Sequence, residues 1–76
     1  MVNSFSDVIA KFNGPAAFGR AIGMNREAAK QANRRNSLSA DWFAATARAA
    51  QERGLREITV KKLADLAEQR RTERAA

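Results

Sequence analysis

Large apolar side chains recur along this chain at helical intervals. Phe5, Val8, Ile9 and Phe12 fall at i, i+3, i+4 and i+7, the spacing of one buried stripe on a helix. Ser4 or Ser6 can cap that helix, and Asp7 lies in the first turn, where negative charge is favoured. Asn13-Gly14 ends it with a sharp reversal, so the pattern predicts a first helix over 4–12.

The stretch 15–35 reads as two short helices joined by a tight turn. Pro15 suits the first position of a helix, where its missing N–H would be unpaired anyway. Phe18 and Ile22 share a face, and Gly23 stops the helix where a left-handed conformation costs it little. Asn25 can cap the next helix by accepting a backbone N–H. Ala28, Ala29 and Ala32 form its expected small-residue inner face, while Arg26, Lys30, Gln31, Arg34 and Arg35 project elsewhere. Such a helix suits the major groove of DNA. Asn36-Ser37 is a polar break after it.

A fourth helix is expected from a cap at Ser39 to a stop at Gly54, with Asp41 in its first turn and Leu38 and Phe43 as a hydrophobic staple. Leu55 can fold back on the last turn in a Schellman arrangement. Phe43 shares a stripe with Ala47 and Ala50, and Trp42 shares a face with Ala45 and Ala49. A fifth helix repeats the start logic, with Thr59 as cap and Ile58 and Leu63 as staple; Leu66 and Ala67 continue its stripe. Residues 56–60 are short and end in a cap, so they read as an extended linker rather than a strand. Residues 68–76 carry charge on all sides and read as a solvated helical extension or a frayed end. The fold class expected is all-α, a compact five-helix domain over 1–76 with its ordered core at about 4–67.

Length and charge narrow the function. Seventy-six residues make one domain, and a chain this size buries only about 60% of its unfolded surface, so dimerisation would add stability. There is no cysteine and no histidine, which removes disulfides, thiol and imidazole catalysis and nearly all zinc chemistry. No catalytic constellation or cofactor motif remains, so no enzyme activity and no cofactor are expected. The formal charge of +6 should attract polyanions, with nucleic acid the first partner to consider and an anionic membrane surface the rival. No apolar run approaches the ~20 residues that span a bilayer, and the first residues lack signal-peptide character. A cytoplasmic, nucleoid-associated protein is expected, without room for a small-molecule effector pocket.

Each feature also has a plainer reading. The 15–35 unit could be an ordinary helical hairpin, but glycine, apolar residues, cap and basic outer face occur together at fitting offsets. Lys61, Lys62, Arg70, Arg71 and Arg74 are interleaved with Asp65, Glu68 and Glu73, which favours a solvated mixed-charge face. Trp42 and Phe43 cannot both point inward, and Phe43 is the better core residue. Trp42 then either contributes to a homodimer interface or folds over the rim of the core.

The order Gly14-Pro15-Ala16-Ala17-Phe18-Gly19-Arg20-Ala21-Ile22-Gly23-Met24 resembles the first half of the helix-turn-helix in phage Cro and repressor-type (lambda-repressor-like) proteins. The continuation Asn33-Arg34-Arg35-Asn36-Ser37-Leu38-Ser39-Ala40 is similar to the Cro-like domains called carph-isopro. The likeness covers about 5–67, with its specific motif within 14–43. Ala32, Ser39 and Gly19 depart from it: an aromatic, a proline and an alanine are commoner there. The resemblance implies that Asn25 and Arg26 open a recognition helix at the groove, that Lys30 and Gln31 sit on its exposed face, and that Arg34 lies one turn further. The chemistry agrees, since Gln can bond adenine bidentately and Arg or Lys can bond guanine. Arg20 and Arg35 read as phosphate contacts, and the helix start at Pro15 and Ala16 could hold a phosphate by its free N–H groups. The resemblance implies a transcriptional regulator, of repressor type, binding double-stranded DNA as a homodimer. The alternatives are an architectural or packaging DNA-binding subunit and a protein-interaction module that kept the fold without DNA binding.

Overall fold

The computed structural model describes the backbone of residues 2–75 and the side chains of residues 2–72. The charges expected at Glu73 and Arg74 lie outside the described side chains, and Met1 and Ala76 lie outside the described residues. Five α-helices follow in order: α1 (Phe5–Lys11), α2 (Pro15–Ile22), α3 (Arg26–Arg35), α4 (Phe43–Glu52) and α5 (Val60–Ala75). A single 3-10 turn, Ala40–Trp42, precedes α4, and no strand occurs among the described residues. The chain is an all-α small domain. Its radius of gyration, 11.3 Å, matches the roughly 11 Å expected when every residue of such a chain belongs to one unit.

Helix starts follow the capping chemistry of the sequence. The Ser4 hydroxyl accepts from the Asp7 N–H (3.2 Å), and Thr59 Oγ1 accepts from the Lys62 N–H (3.0 Å). Of the two serines considered for the first cap, Ser4 fills it. Helix ends share one device, a residue with positive φ just past the last turn: Asn13, Gly23, Asn36 and Gly54. After α4 the Leu55 N–H reaches back to the Ala50 carbonyl (2.8 Å) and the Gly54 N–H to that of Gln51 (3.1 Å), the expected Schellman closure. The same pair of bonds closes α1, through Gly14 to Ile9 and Asn13 to Ala10.

The core gathers one face of every helix. Phe5, Val8, Ile9, Phe12, Phe18, Ile22, Phe43, Leu63 and Leu66 are all buried, as are the staple residues Leu38 and Ile58. Phe12 and Phe18 meet edge to face at 5.3 Å, and Phe5 stacks with Phe43 at 6.2 Å, arrangements that suit the ring quadrupole. Gln51 Nε2 donates to the Ile58 carbonyl (3.2 Å), which ties the α4–α5 connection to α4.

Three expectations need correction. The ordered core starts before residue 4: Val2 is completely buried, and its N–H donates to Glu57 Oε1 (2.9 Å), 55 positions along the chain. The expected helix over 39–54 begins as a 3-10 turn, because the Trp42 N–H bonds the Ser39 carbonyl (3.0 Å), three residues back. Finally, Ala28 is exposed rather than on the inner face of α3, which rests on Ala29, and Thr46 holds the position on α4 that the apolar pattern gave to Ala47.

Helices α2 and α3 approach closely at Gly19. A Cβ there would stand 2.8 Å from the Met24 carbonyl oxygen and 3.2 Å from Ala29 Cβ. Gly23, with φ +80°, makes the turn between the two helices. Among the described residues no helix is long and apolar enough to cross a membrane.

Candidate nucleic-acid interface

Helix α3 is mounted at both ends. At its start Asn25 Oδ1 accepts from the Ala28 N–H (2.9 Å). At its end Asn36 takes φ +52°, and its Oδ1 accepts from the Ser6 N–H (2.9 Å) on α1, while the Ser6 hydroxyl donates to the Asn33 carbonyl (3.1 Å). Ala29, fully buried, fixes the rotation of the helix about its axis. The sequence reading missed Asn36 as a functional support. Its signal was an asparagine at a helix end, since Asn is the residue after glycine that best tolerates a left-handed conformation.

The opposite face is open. Arg26, Glu27, Lys30, Gln31, Arg34 and Arg35 are all exposed, as the sequence pattern requires. Glu27 approaches Lys30 at 3.9 Å, with the two side chains 76% and 49% exposed. A pair so exposed contributes little, about 0–1 kcal/mol. Among the described residues no ion pair engages Arg20, Arg26, Arg34 or Arg35. The face therefore presents three guanidinium groups, one ammonium and one free carboxamide against a single carboxylate, with the Arg20 guanidinium nearby on α2.

Two shallow grooves flank this ridge. Ala16, Arg20, Met24 and Arg26 line one, which brings the expected phosphate contacts Ala16 and Arg20 beside the first residue of α3. Helix α2 starts at Gly14-Pro15 without a side-chain cap. Pro15 itself has no N–H to donate, so any anion there would be held by the next amides, Ala16 and Ala17. The other groove is lined by Met24, Ala28, Gln31, Ala32, Arg35 and Trp42, together with Ser37, Leu38 and Ser39. Trp42 is half-buried against the rim of the core and stands on the same flank as Gln31 and Arg35.

The site residues thus fall into three groups by geometry. Arg26, Gln31 and Arg34 have free side-chain ends along one ridge, where Lys30 is held only by its exposed pair with Glu27. Arg20, Ala16 and Arg35 border it on either side. Asn25 is different, because its carboxamide oxygen is committed to the cap and only Nδ2 remains to donate. Comparison of the chain with protein-family models, with curated proteins and with solved structures finds no match in any of the three.

Proposed function

We propose that this protein binds double-stranded DNA by laying α3 in the major groove and acts as a transcriptional regulator. The observation that carries the reading is the division of α3: one buried alanine face locked to the core, and an opposite face of exposed cations and an amide, of which only Lys30 has an ion-pair partner. Gln31, Lys30, Arg26 and Arg34 carry donors suited to base edges, Gln31 to adenine and the cations to guanine N7 and O6. Arg20, Arg35 and the amides at the start of α2 suit phosphates, which set the docking register without reading sequence. Asn25, with its oxygen occupied, suits a single donor contact rather than bidentate adenine recognition. The absence of a catalytic constellation in the sequence favours a binding protein over an enzyme.

A homodimer on an inverted repeat, with half-sites one helical turn (~34 Å) apart, is the arrangement that would give so small a domain adequate affinity. Repression, rather than activation, rests on the resemblance to Cro and repressor-type proteins. The deciding experiment is selection from a randomised duplex library at near-physiological salt, with sequencing of the bound fraction. An enriched inverted repeat is expected. Binding without enrichment would instead favour an architectural or packaging role, and no binding would refute the DNA reading altogether.

A further inference from the structure

The groove between α3 and the turn before α4 holds the chain's one tryptophan, and its lining is mixed in a telling way. Arg35 supplies a cation on the α3 side and Ser39 a hydroxyl on the other, while Ala28, Ala32 and the Trp42 ring give it an apolar floor. The Ser39 oxygen accepts from the Asp41 N–H (3.4 Å), which leaves its own proton to donate outward. Among the described residues nothing accepts from the Trp42 indole N–H, and that N–H is open to solvent rather than buried, so it is free to donate. Asp41, the carboxylate of this turn, does not line the groove. Its volume of about 260 Å³ is below that of an ordinary small-molecule pocket.

We propose that this groove seats one deoxyribose-phosphate unit of the DNA strand bordering α3, with Trp42 as its anchor. The indole N–H and the Ser39 hydroxyl donate to a phosphate oxygen, Arg35 pairs with the same phosphate, and the apolar floor packs against the sugar. The lining residues include donors at Trp42, Ser39, Arg35, Gln31 and Ser37 and no carboxylate, which suits an anion. The groove is continuous with the ridge of α3, so a strand passing Gln31 reaches it next. Trp42, which folds over the rim of the core, is then a DNA-positioning residue rather than the homodimer contact that the sequence offered as the other reading. The inference rests on the DNA-binding reading above.

Trp42 is the sole tryptophan and the chain has no tyrosine, so its emission reports on this groove alone. The test titrates the full chain with a fluorescein-labelled random-sequence duplex of ~20 base pairs at low salt. Anisotropy of the label follows binding, and acrylamide quenching of an unlabelled-duplex sample follows access to Trp42. The expected result is that quenching falls in step with duplex saturation. Trp42→Ala should weaken binding about tenfold on all duplexes alike, the loss of one charge-assisted hydrogen bond, and Trp42→Phe should weaken it nearly as much although its ring keeps the packing. Circular dichroism and thermal unfolding of both variants check that the fold survives. Duplex binding with unchanged access to Trp42 overturns the inference and leaves the DNA reading standing. Access that falls with protein concentration alone, and no further on adding duplex, assigns the groove to a second copy of the chain and also overturns it. Absence of duplex binding overturns both readings together.

Discussion

Replacing Gly19 by alanine adds one methyl group at the tightest point between α2 and α3. In the middle of an exposed helix that change is favourable by about 1 kcal/mol, because alanine loses less backbone freedom on folding. Here the added Cβ would stand 2.8 Å from the Met24 carbonyl oxygen. That oxygen belongs to the backbone of the turn, so it cannot swing aside as a side-chain tip could. The second neighbour, Ala29 Cβ at 3.2 Å, is fully buried and anchors α3. Relief therefore requires α2 and α3 to separate by a few tenths of an ångström, an overpacking cost of roughly 1–3 kcal/mol. Setting the helix-propensity gain against it leaves a net loss of about 1 kcal/mol. For a domain of this size that lowers the melting temperature by about 4–8 °C. Thermal unfolding followed by far-ultraviolet circular dichroism measures it, with urea unfolding as a check that the slope is unchanged. A melting temperature raised by the Gly19→Ala change would mean that propensity wins and that the close approach at Gly19 does not constrain the helix pair. The turn carbonyl comes nearer to α2 at Gly19 than an alanine side chain would permit.

Further outcomes follow from the same structure. Gln31→Ala should cost roughly 1–3 kcal/mol on the preferred duplex and little on random DNA in a competitive binding assay; equal losses on both would remove Gln31 from base recognition. Arg20→Ala should weaken specific and random duplexes alike and reduce the slope of log K against log salt by about 0.9, so an unchanged slope would take Arg20 off the phosphate contacts. Val2→Ala should lower stability by roughly 2 kcal/mol in urea unfolding, because the side chain removed is completely buried although it stands second in the chain; a change within error would place Val2 outside the core.

Most of the helical order was legible in the sequence because its determinants are local. A cap and the amide it binds are two or three residues apart, as at Ser4, Asn25 and Thr59, and a staple spans five. The outer face of α3 was legible for the same reason, since exposure on a helix follows from its period once one buried position is known. What escaped depends on distant partners. Val2 lies outside any periodic segment, and only Glu57, brought near by the fold, makes its burial workable. Thr46 was passed over because a hydroxyl does not enter an apolar count, yet it is completely buried. Ala28 was assigned inward because alanine is silent about which side it faces. The position of Trp42 beside Gln31 and Arg35 depends on how the 3-10 turn folds back on α3, and no spacing within the helix encodes that.

The mounting of α3 also bears on how such a protein can change over generations. The groups that hold it in place are Ala29 and the side chains of Asn25, Asn36 and Ser6. The groups that the proposed DNA contact would use are Arg26, Lys30, Gln31 and Arg34, and apart from the weak pair of Lys30 with Glu27 they support nothing in the scaffold. Substitutions at such exposed positions shift stability by about 0.5 kcal/mol or less. The outward residues are thus free to drift and be selected for a new target while the domain keeps folding. Asn25 is the exception, because it serves both the scaffold and the outer surface, and a lineage that changes its target should alter that position last.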